Sequence, residues 1–361
     1  MAEKINVTKS FFPPIEDYTG YIQRAYNNEW LTNRGELVEE LELKLKIHLH
    51  LNDTKILCVN NGTIPLQIAL KLLGNEGEII TTPFSYVATT AAIVWENCTP
   101  VFVDIHPKYL TIDETKIEAA ITQKTTCILA THVFGNPCNV EEIERIAKKY
   151  NLKVIYDAAH CFGVNYKGKS IFEYGDVSTC SFHATKLFHT GEGGAIFTND
   201  NNLFDKIFYS HNFGHDGPTD FLGLGINAKI SELQAAMGLA VLPFMESLYS
   251  KRKETFDYYN THLDFKLFQK LVHREGTDWN YSYYPVIFES EDELLKVEGN
   301  LVQSGIIPRR YFNPSLNTIN YVSSVKMPVS EKIAKTVLCL PFHHDLKTET
   351  LEKIIQLINS L

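Results

Sequence analysis

The sequence lacks the features that mark several large classes of protein. Its 361 residues contain no apolar run approaching the roughly 20 residues that a membrane span requires. The stretch Met1-Ala2-Glu3-Lys4-Ile5 has no apolar core of the kind found in signal peptides. Lys and Arg number 34 against 43 Asp and Glu, and the net charge of -9 argues against nucleic acid or an anionic membrane as principal partner. These absences predict a cytoplasmic protein with no nucleic-acid or membrane partner.

The cysteines also lack a recognisable pattern. Their number is odd, no C-x-x-C spacing occurs, and most of them sit in apolar runs. We expect buried free thiols at seven positions: Cys58, Cys98, Cys127, Cys138, Cys161, Cys180 and Cys339.

Between about residues 55 and 199, short apolar runs alternate with amphipathic segments. This alternation predicts a mostly parallel, doubly wound α/β sheet, in which ligand sites lie at the carboxyl ends of the strands. One intervening helix should begin after Asn139 and bury Val140, Ile143, Ala147 and Tyr150. The predicted strands are 56–59, 78–81, 100–104, 127–131, 153–157 and 177–182.

The pattern changes after about Leu242. A helical stretch is followed by an aromatic strand around 281–288 and by a helix with Leu351, Ile354, Ile355 and Ile358 on one face. We therefore predict two domains: residues 1–242, an amino-terminal segment with the large cofactor-binding domain, and residues 243–361, a smaller α+β carboxyl-terminal domain.

A lysine, Lys186, follows the predicted strand 177–182 and precedes the glycine-rich turn 191–194. A neutral lysine amine condenses with aldehydes, and burial favours that neutral form by lowering the pKa from about 10.4. Most lysines are solvated surface charges, so Lys186 gains meaning only if other segments complete a site.

The segment Asn60-Asn61-Gly62-Thr63 follows the first strand of the sheet and leads into a helix. Free N–H groups and the helix dipole make such a junction able to bind phosphate, with Gly62 permitting close approach and Thr63 adding a hydroxyl. An ordinary turn with a helix cap is the alternative interpretation.

Two further strand ends carry polar or aromatic groups. Asp157 ends strand 153–157, where its carboxylate could pair with a protonated pyridine ring. The alternatives for Asp157 are a helix cap and a metal ligand. No carboxylate and histidine at ligand spacing accompany it, so the metal is the weaker of the two. His160 either contacts the ring's phenolic oxygen or is an internally bonded histidine. Tyr86 offers an aromatic face for stacking, with core packing as its alternative and Phe84 as a competitor.

A lysine, an aspartate, a phosphate-binding turn and an aromatic ring, each after a different strand, fit pyridoxal 5'-phosphate (PLP) better than a dinucleotide or a metal. The chain then resembles the DegT/DnrJ/EryC1/StrS sugar aminotransferases, which have the fold-type I architecture of PLP enzymes. The resemblance spans nearly the whole chain and rests on these segments: 30–35 (WLTNRG), 61–63 (NGT), 82–84 (TPF), 157–160 (DAAH), 181–186 (SFHATK), 191–195 (GEGGA), 226–229 (INAK) and 231–236 (SELQAA).

The resemblance implies a role for each matching residue. Lys186 would carry the cofactor covalently, Asp157 would pair with the pyridinium nitrogen, His160 would lie beside the ring oxygen, and Tyr86 would stack on the ring. The phosphate would be held by Gly62, Thr63, Ser181 and, from the partner subunit of a homodimer with shared sites, Asn227. The residues implied or considered for the substrate are Thr32, Lys229 (arginine in many relatives), Arg309 and Arg310, the two arginines being either diphosphate ligands or solvated charges.

The implied reaction moves an amino group from L-glutamate to a nucleotide-linked keto sugar. The segments 5–8, 11–14, 30–33 and 225–229 look most like enzymes that aminate C4 of dTDP-4-keto-6-deoxy-D-glucose, giving dTDP-4-amino-4,6-dideoxyglucose, a sugar of the kind found in O-antigen lipopolysaccharide. Amination at C3 of a dTDP-3-keto-6-deoxyhexose is the alternative. Related dehydratases of this family have histidine in place of the lysine. Lys186 therefore favours transamination, and His183 and His189, which lie nearby in the sequence, leave a dehydratase as an alternative. A PLP-binding regulatory protein without turnover is the alternative of a different class.

Overall fold

A computed structural model describes residues 4–360, so Met1–Glu3, part of the stretch on which the signal-peptide prediction rests, lie outside it, as does Leu361. Over those residues no helix is both long and apolar enough to cross a membrane. The strands are β1 Ile5–Asn6, β2 Lys55–Val59, β3 Glu78–Thr81, β4 Thr99–Phe102, β5 Thr125–Thr131, β6 Lys153–Asp157, β7 Asn165–Tyr166, β8 Lys169–Ser170, β9 Val177–Ser181, β10 Gly194–Thr198, β11 Phe268–Lys270, β12 Thr277–Asp278, β13 Tyr284–Phe288, β14 Ile306–Ile307 and β15 Val337–Leu340. The helices are α1 Ile15–Asn27, α2 Glu36–His48, α3 Ile64–Leu73, α4 Val87–Trp95, α5 Val140–Tyr150, α6 Asn201–Ser210, α7 Glu232–Val241, α8 Met245–His262, α9 Glu291–Gln303, α10 Pro328–Thr336 and α11 Thr348–Asn359.

The largest sheet has seven strands in the order β2-β10-β9-β6-β5-β3-β4. The five strands from β9 to β4 are parallel, and β10 runs antiparallel to both of its neighbours, β2 and β9. The mostly parallel α/β sheet predicted from the sequence is confirmed. Strand β10 was not predicted, because its Gly193-Gly194 start was interpreted only as part of a turn.

Side chains from this sheet enter two separate cores. In β6, Val154 and Tyr156 belong to one hydrophobic cluster, and Ile155 between them belongs to another. Successive residues of a strand point to opposite faces, so both faces of the sheet are covered. Helices α2 and α5 contribute to the first core, and α3, α4 and α6 to the second. The seven cysteines are buried and free, as expected.

Helix α5 confirms most of the predicted apolar face. The Asn139 side chain caps the helix by accepting from the Glu142 N–H, and Val140 and Ile143 are buried. Tyr150 is the exception, being 38% exposed with its hydroxyl donating to Glu118. Tyr150 is the last residue of the helix and lies past its buried face. The buried residues of α5 include Ile146, which was not predicted.

A three-stranded antiparallel sheet, β11-β13-β15, follows in the carboxyl-terminal part, with side chains from α8, α9 and α11 completing its core. The predicted division into 1–242 and 243–361 stays a prediction. Strand β1 belongs to the first range but pairs in parallel with β14 in the second. The chain therefore crosses between the two ranges at both its amino-terminal end and near residue 242.

Candidate active site

A cavity of about 250 Å³ opens at the carboxyl ends of the central strands. Its walls come from the ends of β5, β6 and β9, from the start of α3 and α4, and from Arg309, Tyr311 and Phe312. Of the twelve predicted cofactor and substrate residues, eight line it: Gly62, Thr63, Tyr86, Asp157, His160, Ser181, Lys186 and Arg309. The fold thus brings together side chains that are up to 247 positions apart, from residue 62 to residue 309.

Lys186 lies in the loop between β9 and β10, and its partly buried side chain lines the cavity. Burial lowers the pKa of this amine, while Tyr311 and Asp157 raise it to a smaller extent. The Lys186 Nζ donates to Tyr283 Oη at 3.4 Å. The site therefore favours the neutral, nucleophilic form of the lysine.

Asp157 is the last residue of β6 and is 6% exposed. One carboxylate oxygen accepts from Thr89 Oγ1 at 2.6 Å, and the other accepts from the Ala159 N–H at 3.1 Å. Burial nevertheless raises the pKa of Asp157, against the opposing effects of these bonds and of Lys186. A buried carboxylate with only two such donors is stabilised by a further cation on its open side.

His160 lies three residues after Asp157, in the loop that follows β6, and is 7% exposed. Its Nδ1 accepts from the Phe134 N–H at 3.2 Å, and burial holds the pKa of His160 well below 6.5. A neutral imidazole whose Nδ1 is an acceptor carries its proton on Nε2. His160 therefore offers one N–H donor to a ligand oxygen.

The start of α3 packs tightly against the end of β9. A Cβ on Gly62 would lie 2.6 Å from Ser181 Cβ, so only glycine permits this approach. The Thr63 N–H and the Ile64 N–H both donate to Asn61 Oδ1, at 2.8 and 2.9 Å. The hydroxyls of Thr63 and Ser181 and the Gly62 N–H remain as donors that converge on a helix N-terminus, the arrangement that suits a phosphate.

Two further groups lie on the cavity wall. The Tyr86 side chain is 55% exposed at the start of α4, so one ring face is open to a ligand. Thr131, which pairs in register with Asp157 across β5 and β6, has a buried Oγ1 without a hydrogen-bond partner among the described residues. An orphaned buried hydroxyl in the wall of a polar cavity is a sign that a ligand atom belongs there.

Four predicted residues lie outside the cavity. Thr32 and Asn227 are exposed, and the Lys229 amine donates to Asn212 Oδ1 and Asn227 Oδ1 at 2.8 Å each. Arg310 pairs with Glu291 at 2.6 Å and so differs from Arg309. Adjacent residues of an extended chain face opposite sides, and only Arg309 faces the cavity.

Four residues at or near the cavity were not predicted: Thr89, Thr131, Tyr283 and Tyr311. Thr89 lies three residues after the predicted Tyr86, so its spacing on α4 was an available signal. Tyr283 and Tyr311 come from the carboxyl-terminal part of the chain, with no motif around them. His189 lies away from the cavity wall and bonds to the Phe11 carbonyl at 2.7 Å, whereas His183 lines the cavity and bonds to Thr185.

These groups fit PLP. A nucleophilic lysine, a buried carboxylate in need of a cation, a histidine N–H, an open aromatic face and hydroxyls at a helix N-terminus match the aldehyde, ring nitrogen, phenolic oxygen, ring and phosphate of that cofactor. In residues 4–360 no cluster of three or more metal-ligating side chains occurs. The fold and the site together define a PLP-dependent enzyme of the fold-type I class.

The chain belongs to the DegT/DnrJ/EryC1/StrS aminotransferase family, whose model matches residues 15–359. It is similar to a dTDP-4-amino-4,6-dideoxy-D-glucose transaminase from Shigella dysenteriae, with 40% identity over 370 residues and full coverage of both chains. A transaminase of the same name from Escherichia coli is 38% identical over 98% of each chain. Among solved structures, DesI in the presence of its TDP-sugar product superposes with a TM-score of 0.92 at 28% identity, covering 100% of this chain and 93% of that one.

Proposed function

We propose that this aminotransferase moves an amino group from L-glutamate to C4 of dTDP-4-keto-6-deoxy-D-glucose, giving dTDP-4-amino-4,6-dideoxyglucose and 2-oxoglutarate. The similarity to two transaminases named for that amino sugar, over essentially whole chains, carries the choice of sugar. The partly buried Lys186 amine beside the Asp157 carboxylate supports the choice of chemistry.

Each cofactor contact is assigned to residues of this chain. Asp157 would pair with the ring nitrogen, His160 Nε2–H would donate to the phenolic oxygen, Tyr86 would cover one ring face, and Gly62 with Ser181 would hold the phosphate. When bound, PLP supplies an electron sink that stabilises negative charge on the α-carbon of an attached amino acid. The buried position of Asp157 gives its charge a long reach, because little water screens it.

Lys186 performs the proton transfers in this proposal. The neutral amine would take the proton from the α-carbon of the amino donor and pass it to the aldehyde-derived carbon of the cofactor. With the sugar, Nζ would carry a proton from that carbon to the sugar carbon that receives nitrogen. Burial lowers the pKa of this amine, which favours the neutral form that accepts the first proton. The partly buried position of Lys186 limits water around Nζ, which favours transfer of the proton between the two reacting carbons.

We assign the substrate's diphosphate to Arg309 in preference to Arg310. Arg309 lines the cavity, and its guanidinium carbon lies 4.6 Å from the centroid of the Tyr311 ring, whereas Glu291 already neutralises Arg310. A guanidinium presents several N–H groups in one plane, which suits the oxygens of a phosphate.

We further propose that the active form is a homodimer in which Asn227 reaches the phosphate of the partner's site, and Thr32 and Lys229 border the same junction. The loop before Asn227 exposes several large apolar side chains, as a surface made for a second copy would. Their exposed fractions are 48% for Phe213, 61% for Phe221, 62% for Leu222, 71% for Leu224 and 38% for Ile226.

Shared sites predict complementation between two defective variants. Lys186→Ala lacks the reacting amine, and Asn227→Asp should repel the phosphate, so each homodimer should be nearly inactive. After unfolding and refolding as an equal mixture, activity should recover to roughly a quarter of wild type, because half of the dimers are hybrids and each hybrid holds one intact site of two. If Asn227 acts within its own chain, no intact site forms and the mixture stays inactive.

The substrate assignment is tested by incubating the purified protein with PLP, L-glutamate and dTDP-4-keto-6-deoxyglucose, followed by mass and NMR analysis of the sugar. We expect an amine at C4. An amine only with a dTDP-3-keto-6-deoxyhexose would establish the C3 alternative. If glutamate leaves the cofactor spectrum unchanged, the transaminase proposal fails and the regulatory alternative replaces it.

A further inference from the structure

Tyr283 places a phenolic hydroxyl directly beside the reacting lysine. Its Oη accepts from Lys186 Nζ at 3.4 Å, and its ring packs against His160 with centroids 4.7 Å apart. The side chain is 4% exposed, so Tyr283 has few other conformations available. Neither the sequence motifs nor the proposed cofactor contacts assign this residue a role.

Hydrogen bonds join the segment around Tyr283 to loops at the end of the large sheet. Asn280 Nδ2 donates to the carbonyls of His160 and Phe162 at 2.9 Å each, and Ser282 Oγ donates to the Phe134 carbonyl at 3.0 Å. These bonds hold the segment before β13 against the loops that follow β5 and β6. The hydroxyl of Tyr283 is thereby fixed relative to Lys186, although the two residues lie 97 positions apart.

A buried arginine supports the same segment from the other side. Arg252, on α8, is 3% exposed and donates through Nη1 to the carbonyls of Tyr281 and Ser282 at 3.1 Å each. Such charge-assisted bonds are stronger than neutral ones. The position of Tyr283 is therefore determined by contacts from both parts of the chain.

A second tyrosine packs against the first. The Tyr311 and Tyr283 rings meet edge to face with their centroids 5.2 Å apart. Burial raises the pKa of Tyr283 to about 12, so its hydroxyl stays protonated at neutral pH. It can accept from Lys186 when the amine is charged and donate to it when the amine is neutral.

We propose that Tyr283 is a positioning residue that holds the Lys186 amine in place and sustains its basicity while it transfers protons. Burial alone makes an amine a weak base, and a hydroxyl oxygen at hydrogen-bond distance compensates by stabilising the ammonium form. A fixed partner also reduces the rotamer freedom of the long lysine side chain. The inference rests on the proposed role of Lys186 but not on the identity of the sugar.

Several other groups act on the same amine and must be held constant in a test. They come from the ends of β6 and β9 and from residues 309–311. The titratable or charged side chains around Lys186 are Asp157, His160, Cys180, Tyr283, Arg309 and Tyr311.

The test compares Tyr283→Phe with Tyr284→Phe in the cofactor-free protein. The neighbouring Tyr284 is 3% exposed, and its hydroxyl has no hydrogen-bond partner among the described residues, so it is a matched control. Trace acetic anhydride labels neutral amines, and peptide mass spectrometry reads the acetylation of Lys186 as a function of pH. We expect Tyr283→Phe to lower the labelling midpoint by about one pH unit and Tyr284→Phe to leave it unchanged.

In the loaded enzyme, Tyr283→Phe should lower kcat about tenfold with little change in the KM for glutamate. An unchanged labelling midpoint, or an equal shift in Tyr284→Phe, overturns the proposal. If Tyr283→Phe does not fold, Tyr311→Phe replaces it, with a smaller downward shift expected and no shift contradicting the role. Labelling uses neither sugar nor cofactor, so a wrong substrate assignment would leave its outcome untouched.

Discussion

Replacing Lys186 by alanine is expected to lower kcat by about 10⁴-fold, the upper range for loss of a positioned proton-transfer group. The variant also loses the covalent attachment of PLP, so the absorption band of the lysine-bound cofactor should disappear. Among the described residues, those that line the cavity include no second lysine to replace it. Turnover assays and absorption spectra of the purified variant measure both effects.

Lys169→Ala is a suitable control, because Lys169 is exposed at a distant hairpin and does not line the cavity. It should keep full turnover. Added small primary amines should partly restore turnover to Lys186→Ala, since they can occupy the space of the lost side chain. Full turnover of Lys186→Ala without added amine would refute the assignment.

The same variant should leave the cofactor-free protein at least as stable as wild type. Burial lowers the pKa of Lys186 in the folded state, so between that lowered pKa and the ordinary value the unfolded chain binds more protons. The free energy of unfolding of the wild type therefore rises with pH across this window. Lys186→Ala should lack that rise, which pH-dependent denaturant unfolding can measure.

Asp157→Asn is expected to reduce turnover by about 10²- to 10⁴-fold. Removing one partner of a buried ion pair costs about 3–5 kcal/mol, and each 1.36 kcal/mol is tenfold in rate when the pair acts on the transition state. The amide still fits beside Thr89 and the Ala159 N–H, so we expect some cofactor to bind. Equilibrium binding of PLP and single-turnover kinetics with glutamate separate the two effects.

Asp157→Asn should lower turnover but raise the stability of the cofactor-free protein. Because burial raises the pKa of Asp157, the folded state holds the proton more tightly between pH 3.8 and the raised value, and stability falls as pH rises through that window. Asp157→Asn should remove this fall and be more stable than wild type at neutral pH without PLP. Asp205→Asn, on the exposed side of α6, should change neither property. Near-wild-type turnover of Asp157→Asn would contradict the pyridinium role.

Local patterns were sufficient for most of the large sheet. The six predicted strands correspond to β2, β3, β4, β5, β6 and β9 with shifts of at most two residues at their ends. Buried parallel strands are short apolar runs between helices, so each run carries its own signal. Strand β10 escaped because its signal was masked by the glycines before it, and its antiparallel direction depends on pairing with β2 and β9.

The site residues were likewise predicted where a short motif marks them and not where they depend on long-range contacts. Residues that follow a strand within a short motif, such as Gly62, Asp157 and Lys186, were predicted and do line one cavity. The sequence could not distinguish Arg309 from Arg310. Adjacent residues of an extended chain point to opposite sides, and the sequence does not show which side faces the cavity. The contact between Lys186 and Tyr283 left no sequence signal at all.

The sequence by itself determined the α/β class, the family, the cofactor and the residues at strand ends, since each of these depends on local periodicity or on a short motif. The tertiary structure alone decided which arginine faces the cavity, which hydroxyls surround Asp157 and Lys186, and how burial shifts their pKa values. Burial and long-range hydrogen bonds depend on segments that are far apart in the chain. They exist only once β5, β6 and β9 have aligned their carboxyl ends and the segment around Tyr283 has docked against them.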